Sequence, residues 1–186
     1  MKDNPITIGF DDATFELHSN KKYTQLIGVI CQGTRMISVI GDEIEIDGND
    51  ATEKLINLVN QVEKHVQYVL THTITFGGFN LVDLNEIHEK SNKPIIALTE
   101  SEPDFDSVIS ALKSKFPGTY QDKIKKIVAA GDLYEVEIET AGGYSKIYYH
   151  CKGINITEVN TLIKKVCIDS KLPEPIRMAH LIGKLF

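Results

Sequence analysis

Residues 66–98, VQYVLTHTITFGGFNLVDLNEIHEKSNKPIIAL, decide how this chain folds. Val66 to Leu70 is an apolar run of strand length, Val82 to Glu89 has a helical pattern, and Pro94 to Leu98 is a second apolar run. Strand, helix and strand in succession favour a largely parallel sheet with helices on its faces. Between the first strand and the helix lies Thr73-Ile74-Thr75-Phe76-Gly77-Gly78-Phe79, whose adjacent glycines signal an unusual backbone turn.

The pattern extends outward in both directions. Ile6 to Phe10 is a short strand bounded by Pro5 and by Asp11-Asp12, and Leu26 to Cys31 is a nearly continuous apolar strand covered on both faces. Met36 to Ile40 and Ile44 to Ile46 read as a third strand broken by a bulge at Gly41-Asp42. Leu55, Leu58, Val59 and Val62 then recur at helical spacing, with Asp50 as N-cap and Glu53 as its capping-box partner. Beyond Leu98, Asp104 to Phe116 and Tyr120 to Ala129 are helices split by Pro117-Gly118. Tyr134 to Ile138 and Lys146 to His150 form a hairpin through Ala141-Gly142-Gly143, and Thr157 to Ile168 and Pro175 to Leu185 close the chain as helices. No repeat or linker divides residues 1–186, so a single α/β domain is expected.

Composition narrows the function classes. With 42% hydrophobic and 25% charged residues the chain is of ordinary globular make-up. Cys31, Cys151 and Cys167 are odd in number and widely spaced, which suits reduced thiols in a cytoplasmic protein rather than a disulfide framework. Neither a signal-peptide core nor a membrane-spanning run is present, so no membrane partner is expected. The net charge of −6 means that a nucleic-acid ligand needs a local basic patch. Lys123, Lys125 and Lys126, and Lys164 with Lys165, are candidates, although their helical patterns read as solvated faces.

Four segments carry a family likeness: Ile8-Gly9-Phe10-Asp11-Asp12, Asp47-Gly48-Asn49-Asp50-Ala51-Thr52-Glu53-Lys54, Ile74-Thr75-Phe76-Gly77-Gly78-Phe79-Asn80, and Pro173-Glu174-Pro175-Ile176-Arg177-Met178-Ala179-His180. In order, and over essentially the whole chain, they resemble an archaeal family of unknown function related to endonuclease V. The stretch Leu172 to His180 is similar to one in endonuclease V itself. The resemblance implies a ribonuclease-H-like mixed sheet whose second strand runs antiparallel to the others, with helices on both faces. It also implies a set of carboxylates that bind Mg²⁺ or Mn²⁺ for phosphodiester hydrolysis, and hence a nucleic-acid partner.

Such chemistry needs carboxylates at strand ends, because hard cations want oxygen ligands that orient a water. Asp11 matches that position; Asp12 beside it is a second ligand or a turn residue. Asp47 and Asp50 stand before the first helix, where Asp50 has the rival reading of a cap. The nuclease's Arg-Glu motif before this helix is absent. Where relatives carry Asp-Gly ahead of the Ile-Thr-Phe run, this chain has His72-Thr73, and a neutral imidazole suits zinc or a softer ion better than Mg²⁺. Glu100, Glu102, Asp104 and Asp106 make the following loop acidic; for Asp104 and Asp106 the expected role is at a helix N-terminus.

Gly77, Gly78 and Asn80 are candidates for close backbone approach to a ligand. Arg177 and His180, three apart on one helix, hold a phosphate or pin the helix to the sheet. His18, His65, His88 and His150 earn no role. Two functions follow: a divergent metal-dependent nuclease-like enzyme using Asp11, Asp47 and His72, with Asp12 and Asp50 as further ligands, or a catalytically degenerate relative that binds nucleic acid, a small ligand or a protein. A third, self-association at the hairpin rim, has only an uncovered strand edge to support it.

Overall fold

The computed structural model of the chain describes residues 1–15 and 21–186; His18 lies outside them. Three strands open the fold: β1 (Ile6–Asp12), β2 (Tyr23–Gln32) and β3 (Arg35–Glu45). Helix α1 (Ala51–Gln61), strand β4 (Tyr68–His72), a small hairpin of β5 (Thr75–Phe76) and β6 (Asn80–Leu81), helix α2 (Leu84–Ser91) and strand β7 (Ile95–Thr99) follow. Helices α3 (Phe105–Lys115) and α4 (Tyr120–Ala130), strands β8 (Tyr134–Thr140) and β9 (Gly143–Lys152), and helices α5 (Ile156–Val166) and α6 (Glu174–Gly183) complete it.

The main sheet has seven strands in the order β3-β2-β1-β4-β7-β9-β8. Parallel pairing holds only at its centre, where β4 lies between β1 and β7. The expectation of an antiparallel second strand is met by β2, but β9 is antiparallel to β7 as well, so the sheet is more mixed than the alternation suggested. Strand β3 runs unbroken through Gly41-Asp42, and the irregularity falls instead at Ile30/Cys31. Strand β1 continues through Asp11 and Asp12, both held in register with β2, rather than ending at Phe10.

The period-2 pleat sorts side chains to two faces. Ile8, Phe10, Val69, Ile95 and Ala97 point toward α1 and α2 and share one core with Leu55, Val59, Leu84 and Ile87. Tyr68, Leu70, Ile96 and Leu98 point the other way, against α5, whose Val159, Leu162, Ile163 and Val166 form a stripe at helical spacing. Asn155 caps α5 by accepting from the Glu158 N–H at 2.9 Å. Helices therefore cover both faces.

Helix α6 seats on β1 and β2 next to α5. Gly9 permits it: a Cβ there would stand 2.5 Å from the Ile176 backbone nitrogen and the Pro175 carbonyl carbon. Ala179, with Met178 and Ile182, closes over Ile27, Val29 and Cys31. The three cysteines are free thiols. Among the described residues no helix is long and apolar enough to cross a membrane.

Two further expectations are corrected. Asp50 stands at the N-cap of α1 but makes no capping bond; the Ala51 N–H is taken by Asn80 Oδ1 at 3.1 Å. Asp50 instead accepts from the Glu45 N–H and, at 2.6 Å, from the Asn80 amide. Lys125 and Lys164 are exposed as expected, but Lys123 is only 2% exposed. Its Nζ donates to the carbonyls of Gly48 at 2.9 Å and Phe79 at 2.7 Å, with Asp47 O and Asn49 Oδ1 farther off, and lies over the Phe116 ring. A basic patch there is thus smaller than the sequence offers.

Candidate active site

The end of β1 presents two neighbouring carboxylates to opposite faces of the sheet. Asp12 shares the face of Phe10 and accepts from the Gly77 N–H at 2.8 Å, where Gly77 holds a φ of 48° in the turn of the small hairpin. Asp11 shares the face of Gly9 and looks toward α6. The β1–β4 register sets Phe10 beside Thr71, so His72 arrives next to Asp11 on the same side. From α6, one helical turn beyond Ile176, His180 comes down onto the pair.

The Asp11 carboxylate is bracketed by two imidazoles. His72 Nδ1 lies 3.2 Å from Oδ1 and His180 Nδ1 lies 2.8 Å from Oδ2. The two rings meet edge to face at 6.2 Å between centroids. Exposure grades outward: the Asp11 side chain is 4% exposed, His72 23% and His180 41%, so the carboxylate forms the floor and the imidazoles open to solvent. Donor atoms of these three residues lie within 4.8 Å of one another.

Electrostatics couple the neighbours. Burial, then the charge of Asp11, pushes the Asp12 carboxyl up to about 6, against the pull of the Gly77 N–H. Burial alone would lower His72, but its hydrogen bond to Asp11 and the charges of Asp11, Glu100 and Asp12 prevail and raise it above the ordinary histidine value. His72 is thereby biased toward carrying a proton against Asp11.

The other expected carboxylates lie elsewhere. Asp47, at a φ of 60°, accepts from the Phe79 N–H at 3.0 Å and pairs with Lys115. Asp50 is tied to Asn80, whose amide also reaches Glu45 O at 2.8 Å. Asp47, Asp50 and Asn80 thus latch the turn after β3 to the small hairpin, with Gly78 at a φ of 82° between them. Arg177 and His180 part company: the Arg177 guanidinium binds the buried Glu174 at 2.6 and 2.9 Å and reaches Asp169, while His180 faces Asp11. Asp104 caps α3 through the Ser107 N–H, as expected.

A pocket of about 160 Å³ begins one residue beyond His72. Thr73, Thr75, Leu98, Phe105, Ile127 and His150 line it, so its walls are mostly apolar with a few polar groups. Sequence reasoning gave His150 no role; its place opposite Ala97 on β9 was the missing signal. At the rim Thr73 holds a φ of 64°, unusual for a β-branched residue. Its hydroxyl exchanges hydrogen bonds with Thr75.

An all-oxygen Mg²⁺ set does not fit this arrangement. Only Asp11 of the expected carboxylates enters the cluster, and its companions are imidazoles, which suit transition ions rather than Mg²⁺.

The fold is that of an endonuclease-V-like α/β domain. Endonuclease V from Ciona intestinalis, solved in complex with a 24mer DNA containing an inosine followed by a ribo-adenosine, superposes with a TM-score of 0.59 at 12% identity over 95% of this chain and 82% of its own; that likeness is one of fold. A crystal structure of a protein of unknown function from Archaeoglobus fulgidus superposes with a TM-score of 0.82 at 28% identity, covering 96% of each chain. A UPF0215 protein of Methanocaldococcus jannaschii is 35% identical over all of this chain and 96% of its own length. The chain belongs to the Endonuclease dU family, whose model matches residues 6–186.

Proposed function

We propose that this protein is a nuclease-like hydrolase that cuts a nucleic-acid strand beside a deaminated base. The observation that carries the reading is the buried Asp11 carboxylate, held by His72 and His180 at a solvent-facing strand end. Phosphodiester hydrolysis needs a base or ligand for water and a proton donor for the leaving oxygen, and this trio supplies both kinds of group. Its place is the carboxyl end of parallel strands β1 and β4, where open α/β sheets gather ligands.

The adjoining pocket supports a base-directed activity. An enzyme that senses a damaged base extrudes it from the stack, and a pocket with apolar walls and a few hydroxyl and imidazole groups suits a flat heterocycle. The family's description, endonuclease dU, and the inosine-containing DNA bound by the Ciona enzyme favour uracil and hypoxanthine as the bases to try first.

A second reading is favoured by a specific observation: Glu100 adds negative charge close enough to raise the His72 pKa, and such a rim opposes a phosphate backbone. On that reading the protein is a degenerate relative that binds without cutting. The test incubates purified protein and the Asp11→Asn variant with single- and double-stranded DNA and RNA containing uracil, hypoxanthine or neither, with each divalent ion in turn. Nicking that Asp11→Asn lowers by about 100-fold or more supports the enzyme. Binding without nicking under every ion makes it the degenerate binder.

A further inference from the structure

We infer that Asp11, His72 and His180 form a binding site for a divalent transition ion of the zinc and cobalt class, ligated by one carboxylate and two imidazole Nδ1 atoms, in place of Mg²⁺. The inference deepens the proposed nuclease reading by naming the ion that its site takes.

Three features of the structure carry it. The donors come from three separate elements, β1, β4 and α6, yet converge with all ligand atoms within 4.8 Å of one another. Each imidazole Nδ1 already stands against an Asp11 carboxylate oxygen, at 3.2 Å for His72 and 2.8 Å for His180, so small side-chain shifts suffice to seat an ion with bonds near 2.1 Å among them. Among the described residues no second carboxylate joins the cluster: Asp12 is turned to Gly77, Asp47 to Lys115 and Phe79, and Asp50 to Asn80, so two of its three donors are imidazoles.

The donor chemistry selects the ion. Imidazole nitrogen favours zinc, cobalt and nickel over Mg²⁺, and affinity climbs from manganese toward copper for a site of this kind. A three-residue set leaves positions open for water and a substrate oxygen, as catalytic zinc sites do. Carboxylate and imidazole ligate in their deprotonated forms, so ion binding weakens as pH falls.

The experiment titrates chelator-stripped protein with ZnCl₂, CoCl₂ and MgCl₂ by calorimetry at neutral pH, with the visible spectrum of the cobalt form as a second readout. One equivalent of Zn²⁺ and of Co²⁺ should bind about 100-fold or more tightly than Mg²⁺, with cobalt ligand-field bands. Asp11→Asn, His72→Asn and His180→Asn should each weaken Co²⁺ binding by about tenfold or more and alter those bands, with melting curves confirming that each variant folds. His72→Asp should narrow the Zn²⁺ to Mg²⁺ ratio, and Cys151→Ser should leave binding unchanged.

Wild type that binds no ion, or binds Mg²⁺ as well as Zn²⁺ with no effect of His72→Asn, overturns the inference. The nicking assay separates this failure from that of the nuclease reading. Cleavage in the presence of chelator, or with Mg²⁺ and independent of His72, sinks the inference and leaves the nuclease standing; Co²⁺ held by all three residues without nicking of any substrate does the reverse.

Discussion

His180 Nδ1 on the last helix lies 2.8 Å from Asp11 Oδ2 on the first strand, a contact that spans 169 positions of sequence. Three residues earlier on that helix, Arg177 binds Glu174, which is buried, through Nε and Nη2. The two basic residues should therefore separate in their effects. Arg177→Ala leaves the Glu174 charge without its partner and is expected to cost on the order of 2–4 kcal/mol in urea denaturation. His180→Ala, at a side chain 41% exposed, should cost less than about 1 kcal/mol yet lower nicking and weaken Co²⁺ binding by about tenfold or more. A large stability loss for His180→Ala with intact chemistry contradicts the assignment.

Gly9 is the point where α6 touches the sheet. Gly9→Ala puts a methyl 2.5 Å from the backbone of Pro175 and Ile176, which no side-chain rotation relieves. The helix must move, and with it His180. A loss of about 2–3 kcal/mol is expected, with weaker ion binding in the folded fraction. Gly143→Ala serves as control, since its added methyl meets nothing nearby; only the strain of a φ of 100° should register.

Asp12 gives a pH signature. Its carboxyl titrates at about 6 in the folded chain and near 3.8 when unfolded, so between those values the folded form holds more protons. Stability is then greatest below pH ~4 from this group and is lost as pH rises through about 6. Asp12→Asn keeps an oxygen for the Gly77 N–H and removes the charge. The ion-free variant should exceed wild type by on the order of 1–3 kcal/mol above pH ~6, the gap closing below pH ~4. Thermal melts across that range decide; a constant gap rejects the burial argument.

Lys123 acts as an internal tie. Lys123→Met fills the volume but leaves the Gly48 and Phe79 carbonyls without their donor, at an expected cost of about 2–4 kcal/mol. Lys125→Ala, exposed and paired with Asp122 at the surface, should change stability by less than about 0.5 kcal/mol. Equal effects of the two would mean that the cage contributes nothing.

Local pattern was legible where neighbours in sequence are neighbours in space. The apolar run Val66 to Leu70 reports a strand covered on both faces, and the helical pattern from Thr157 to Ile168 reports α5. It failed where a distant group competes. The Asp50-to-Glu53 spacing fits a capping box, but Asn80, 29 positions on, takes the Ala51 N–H instead. The Lys123 cluster reads as a solvated face because nothing local shows that two turns aim carbonyls at one point. Asp11 and His72 were visible as candidates at strand ends. Their union with His180 was not, because it depends on the β1–β4 register and on how closely α6 approaches Gly9.

The placement of His180 also fixes when the cluster of three can assemble. During synthesis the floor of the cluster emerges with β1, while its third member waits for α6. A nascent or prematurely terminated chain that stops short of residue 180 lacks both that donor and the helix that covers β1 and β2. The cluster is thus complete only once α6 has docked on the sheet, and no fragment that stops before residue 180 carries the full set of three.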